Sequence, residues 1–406
     1  MNYNTYRLKN GIRLVHSPND IEIAYCGIIV NTGSRDEEEN EHGLAHFIEH
    51  AIFKGTKKRR SYHILNRLES VGGDINAYTT KEDTCIYTAF LNQYYSRSLE
   101  LLADMMFNSN FPENEIQKEK DVIIDEINSY KDSPSELIFD EFEDLLFTGR
   151  SLGKNILGKP AKIKAYTRDD LVNFKAKNYA TDQMVIFSIG KIGFKPLIKL
   201  VEKYFGYIPQ KSVDQRKNED LIYLPFSQKI RKKTHQVHCV IGNIAYNFHN
   251  EKRTALSLLN NILGGTSMNS RLSMALREKN GFVYDIESNY TGYSDNGIFS
   301  LYFGTDKFKF EKSLKVIYKE FDQFKNEKLG ILQLKRAKQQ LIGQIAISSE
   351  NRENSAINLG KAILLYDKID SLEEVNEKIN SLTASDLMEV ANEILDYQKL
   401  STLVFE

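Results

Sequence analysis

YTRDDLVNFKAKNYATDQMVIFSIGK, residues 166–191, reads as a helix opening on Thr167 with Asp170 three positions later, followed by a strand over 184–189. The chain ends on the same design. In SLTASDLMEVANEILDYQKLSTLVFE, residues 381–406, Thr383, Asp386 and Leu387 repeat Thr167, Asp170 and Leu171 at one common offset. A second pair supports the repeat: HCVIGNIAYNFHNEKRTALSLLNNILGG (238–265) answers AYCGIIVNTGSRDEEENEHGLAHFIEH (24–50), each a β-branched strand leading into a helix. These echoes predict an α+β fold made by tandem duplication, two homologous domains that each pack an antiparallel-rich sheet with helices. The joint is placed in PQKSVDQRKNEDLIY, a polar stretch without periodicity, so the expected domains are 1–214 and 222–406 with 209–223 as linker.

A chain of 406 residues exceeds the size of one ordinary core, which agrees with two domains. Its 54 Lys and Arg balance 55 Asp and Glu, so no bulk charge argues for nucleic acid or an anionic membrane as partner. No stretch approaches the roughly 20 apolar residues of a membrane helix. The N-terminus reads as strand, Asn10-Gly11 turn and strand, without a leader-like apolar run. Cys26, Cys85 and Cys239 are widely spaced and odd in number, which suggests a reducing compartment. A cytoplasmic protein is expected.

The two halves diverge at one place. HGLAHFIEH, residues 42–50, holds three of the chain's eight histidines, two of them on a helix expected over 43–53 and one just before it, whereas the corresponding helix, 253–263, has none. Packing alone would ask the same of both copies. His46 and His50 are four apart, so both imidazoles lie on one helical face and can ligate one ion, and Glu49 reaches the same side. This is the H-x-x-E-H spacing of inverted zincins, although a polar helix turn could carry it by chance. A catalytic zinc needs a third protein donor, and EIQKEKDVIIDEINSY offers Glu119 and Glu126, two turns apart on one face of a helix over 113–129. An acidic, solvent-facing helix would look the same.

HFIEHAIFKGT, followed by GGDINAYTTKEDT and KEKDVIIDEI, resembles the pitrilysin and insulysin family of inverted zinc peptidases, particularly its short two-domain branch with the mitochondrial processing peptidase. The likeness spans essentially the whole chain. It implies a zinc metalloendopeptidase holding one Zn2+ per subunit through His46, His50 and Glu126, the last at the family's spacing of about 75 residues beyond the motif. Glu49 would be the general base and Glu119 the accessory acid. In NSRLSMALREKNGFVYDIESNY, Arg277 and Tyr284 match the family's pair that binds substrate and stabilises the oxyanion; from the residues alone they read as a surface ion-pair partner and a strand tyrosine. Asn76 matches a substrate-backbone contact, and Ala77 begins a segment like the edge strand on which substrate is laid. His42 is expected to be an N-terminal helix residue or a partner of a ligand. The resemblance further implies a homodimer in which Arg277 and Tyr284 serve the partner's zinc, two subunits enclosing a chamber for peptides or unfolded segments. The alternatives are a heterodimer with a non-catalytic paralogue and a non-catalytic structural or assembly subunit.

Overall fold

The computed structural model describes residues 3–213, 216 and 223–406, so part of the expected linker, 214, 215 and 217–222, lies outside the described residues. The first sheet has six strands, β1 (Asn4–Arg7), β2 (Arg13–Pro18), β3 (Ile23–Val30), β4 (Asp74–Thr79), β5 (Thr84–Leu91) and β6 (Met184–Gly190), in the order β1-β2-β6-β3-β5-β4. The second has five, β7 (Ser227–Ile230), β8 (Val237–Ala245), β9 (Val283–Gly292), β10 (Gly297–Thr305) and β11 (Ser401–Phe405), in the order β7-β11-β8-β10-β9. Matching β2–β6 to β7–β11 makes the two orders identical. Even the parallel pairs correspond, β2 with β6 and β7 with β11, within otherwise antiparallel sheets. Both expected capping boxes form, with the Asp170 and Asp386 amides donating to the Thr167 and Thr383 hydroxyls. The fold is therefore the duplicated α+β unit that the repeat predicts.

Period-two alternation decides which helices cover which face. On β6, Met184 and Ile186 join the main core of the first sheet, beneath the helices Tyr95–Asn108 and Glu113–Lys131, while Val185, Phe187 and Ile189 face the opposite way. That second face is covered by Arg352–Tyr366, a helix from the far half of the sequence, through Ala356, Leu359 and Ile363. The second sheet repeats the arrangement. Its Val240, Leu403 and Phe405 are covered by Pro134–Leu146, a helix from the near half, through Ile138, Phe142 and Leu146. One compact unit thus comprises Met1–Asn128, Lys154–Arg216 and Ser348–Ser371, and the other Ser129–Gly153, Lys217–Ile347 and Leu372–Glu406. Each half of the duplication lends one helix to the other's sheet.

Glycines permit this close cover. A Cβ on Gly360 would lie 2.5 Å from Phe187 Cδ1, and one on Gly27 of β3 would lie 2.3 Å from Cζ of the same ring. The Phe187 ring fills the space that two side chains would otherwise take. Gly360→Val is expected to destabilise the protein by about 1–3 kcal/mol through overpacking, read as a lower urea midpoint. Gly343, whose Cβ would meet nothing within 4 Å, supplies the control: Gly343→Ala should leave the midpoint unchanged or raise it.

Candidate metal centre

The first unit carries the histidine cluster on a short helix, Leu44–Ala51, between β3 and β4. Leu44, Phe47, Ile48 and Ala51 are buried and fix its rotation, which turns His46, Glu49 and His50 to the other side. Gly43 precedes it at φ +95, a left-handed conformation that suits glycine, and lies so close to Gly158 that a Cβ would be 2.9 Å from the Gly158 Cα. His42 stands outside the cluster, its Nε2 bonded to the Asn155 carbonyl at 2.9 Å and its own carbonyl accepting from the Tyr166 hydroxyl. Burial lowers the His42 pKa.

The long helix Glu113–Lys131 brings the two glutamates to the histidines. Glu126 Oε2 lies 3.7 Å from His46 Nε2 and 3.6 Å from His50 Nε2. The ligand atoms of His46, His50 and Glu126 all lie within 4.8 Å of one another. His50 Nδ1 is 3.1 Å from Glu119 Oε2, and the other oxygen of Glu119 takes the Lys54 ammonium at 2.7 Å. Burial would raise the Glu119 carboxyl, but its hydrogen bonds from His50 and Lys54 outweigh that and hold it below the usual range. An ionised Glu119 is an acceptor and favours the His50 tautomer with its proton on Nδ1, which turns Nε2 toward the Glu126 carboxylate as a metal donor.

Two acceptors facing one another at that distance suit a cation between them. Donors about 2.0–2.1 Å from a tetrahedral zinc stand about 3.3 Å apart, so the two edges from Glu126 to the histidines are within a few tenths of an ångström of that spacing. His46 is held neutral, its pKa lowered to about 3 by burial and then by His50. Two neutral imidazoles and a carboxylate are a donor set that zinc accepts, and it leaves a fourth position open. The residues present fit the metal.

Glu49 is half-buried beside these donors. Burial raises its pKa, contacts with Thr79 and the nearby His50 pull it back, and Glu126 adds to the rise. A carboxylate so raised is a stronger base than an ordinary one, which suits it to accept a proton. Asn76 and Ala77 lie on β4, which among the described residues pairs only with β5 and forms the edge of its sheet; the Asn76 side chain accepts from the Ala77 amide at 2.9 Å. Arg277 and Tyr284 belong to the second unit. Arg277 lies in the π-helical segment Ser273–Glu278 and bonds Glu278 at 3.0 Å. Tyr284, 58% exposed on β9, donates to Asp306 at 3.1 Å.

Three residues at this site were not singled out from the sequence. Lys54 is one helical turn beyond His50, and that spacing could have marked it as the partner of an acid there. Thr79 ends the edge strand and carries no spacing signal. Glu37 lies in an acidic run of the sequence, yet it is buried and accepts from the Gly43 and Ala45 amides at 2.9 Å each.

Residues 14–160 match the model of the insulinase family, peptidase family M16, and residues 165–341 match that of the peptidase M16 inactive domain. The chain belongs to peptidase family M16. An inactive second domain agrees with the absence of a His/Glu cluster on the helix Arg253–Gly264. An uncharacterized zinc protease of Bacillus subtilis (strain 168) is 32% identical over 380 residues, 93% of this chain and 92% of that protein. The beta subunit of the mitochondrial-processing peptidase of Saccharomyces cerevisiae is 28% identical over 414 residues, covering 98% and 89%. The crystal structure of a protease from Helicobacter pylori superposes with a TM-score of 0.91 at 22% identity, covering 100% of this chain and 99% of that one. The last likeness speaks to the M16 fold. Among the described residues, no helix is long and apolar enough to cross a membrane.

Proposed function

We propose that this M16 protein is a zinc metalloendopeptidase that cleaves peptides or unfolded segments. The observation that carries the reading is the convergence of His46, His50 and Glu126, with Glu119 on the far nitrogen of His50. These three residues would hold the ion, and Glu119 would fix the tautomer of His50. A bound zinc supplies Lewis-acid polarisation of a peptide carbonyl and a water acidified to react near neutral pH. Glu49 accepts the proton from that water and returns it to the leaving amine nitrogen. Substrate is laid along the β4 edge at Asn76 and Ala77, where main-chain hydrogen bonds select extended chains. Arg277 and Tyr284 donate to the carbonyl oxygen as it gains charge, and they do so across a homodimer that encloses the substrate. Three buried cysteines without a disulfide fit a reducing, cytoplasmic setting.

The test is metal content against cleavage. Purified protein is expected to carry about one zinc per chain by elemental analysis and to cut an unstructured peptide library. A chelator should abolish cleavage, and added zinc should restore it. Protein that binds no zinc, or that cuts equally well without it, would remove the reading and leave a non-catalytic subunit as the better account.

A further inference from the structure

We infer that Glu37 is a positioning residue that holds the metal-bearing helix against the substrate edge of the first sheet. The inference rests on the zinc-site reading above. The helix Leu44–Ala51 begins without a side-chain cap, since its N-cap is Gly43. A helix start leaves orphan amides, and here the carboxylate of Glu37 supplies their acceptor from outside the helix, Oε2 to the Gly43 amide and Oε1 to the Ala45 amide. Burial pushes the Glu37 carboxyl up to about 8 while the bonds from the Ala45 and Gly43 amides draw it down, so the clamp rests on the two hydrogen bonds and not on a net charge. Glu37 is only 4% exposed, so no water can replace it. His46 is the residue immediately after Ala45, so the clamp sets the turn that carries the first metal donor.

The other end of the same loop is tied to the sheet. The amides of Ser34 and Arg35 donate to the carbonyls of Thr80 and Lys81, at 3.1 and 2.8 Å, in the turn that follows β4. Gly33 makes that approach possible, because a Cβ there would lie 2.4 Å from the Thr80 carbonyl oxygen. Arg35 reinforces it with a buried ion pair to Glu82 at 2.7 Å. Residues 33–37 therefore join two things the chemistry needs in register: the helix with His46, Glu49 and His50, and the edge strand that ends at Thr79 beside Glu49. Glu37 touches neither substrate nor metal and acts through the helix.

Glu37→Gln tests this because the amide matches the carboxylate in shape but turns an NH2 toward one of the two helix amides. The variant is expected to bind zinc about 10-fold or more weakly in competition with a chelator, a loss of the size seen when outer-shell partners of metal ligands are removed. Loaded with cobalt, it should show a shifted d–d absorption band, which a remote loss of stability would not produce. Thr383→Ala removes a helix cap in the second unit and should lower the thermal midpoint while leaving zinc affinity and the cobalt spectrum at their wild-type values. Should Glu37→Gln fail to fold, Glu37→Asp, which keeps the carboxyl group but is one methylene too short to serve both amides, takes its place in the same two measurements. Zinc affinity within about twofold of wild type, together with an unchanged cobalt band, would overturn the inference whatever the thermal midpoint does. Wild-type protein that binds no zinc would instead dispose of the zinc-site reading itself.

Discussion

Glu49→Gln is expected to lower kcat/KM for peptide cleavage by about 10²–10⁴-fold, the range that a positioned general acid and base supplies. The substitution keeps the length of the side chain and a polar contact to Thr79, but an amide cannot accept a proton from water at neutral pH. Zinc content should not change, because the close donor set is His46, His50 and Glu126, without Glu49. Peptide affinity should also stay within a few-fold of wild type, since the edge strand and its hydrogen-bonding groups are untouched, so the loss belongs to the chemical step. The decisive measurement combines elemental analysis, peptide binding by anisotropy and single-turnover cleavage on one preparation. A variant that keeps its zinc and more than about a tenth of wild-type turnover would show that the proton goes elsewhere.

How much of this was legible in the sequence depends on the distance over which each signal acts. The capping boxes at Thr167 and Thr383 are local, three residues long, and both form where their spacing puts them. The helix bearing His46 and His50 was legible for the same reason, and its structured span, Leu44–Ala51, is two residues shorter at the C-terminal end than the apolar pattern suggested. Pairing Glu126 with the histidines needed the family resemblance, because seven-residue spacing on an acidic helix does not distinguish a ligand from a solvated face. The exchanged helices Arg352–Tyr366 and Pro134–Leu146 had no local signal at all. Their apolar faces are those of any amphipathic helix, and nothing in periodicity says which sheet will receive them; the glycines that admit them, Gly360 and Gly27 around Phe187, become meaningful only when the ring between them is seen. Glu37 was hidden differently. In a run of five acids and an asparagine, one buried carboxylate looks like its solvated neighbours.

Arg277→Ala is expected to cost about 10²–10³-fold in kcat, the effect of removing one donor to a developing oxyanion, while leaving zinc bound. Its larger use is in combination. If Arg277 and Tyr284 serve the zinc site of the partner, a heterodimer of Arg277→Ala with Glu49→Gln contains one intact site: the Arg277→Ala chain brings Glu49 and a complete metal centre, and the Glu49→Gln chain brings Arg277. Equal amounts of the two chains, reassorted freely, should then recover about a quarter of wild-type activity, because half of the dimers are mixed and each has one working site of two. Action within one chain predicts no recovery, since each subunit of the mixed dimer would still lack one of its own groups. Glu49→Gln mixed with Glu126→Gln supplies the background, because both changes fall in the same metal centre and no pairing of those chains gives an intact site with all its own donors and base. Co-expression with two affinity tags isolates the mixed dimer directly, and activity confined to that species would establish a trans site. An inactive mixed dimer of confirmed composition would assign Arg277 to the chain that carries it.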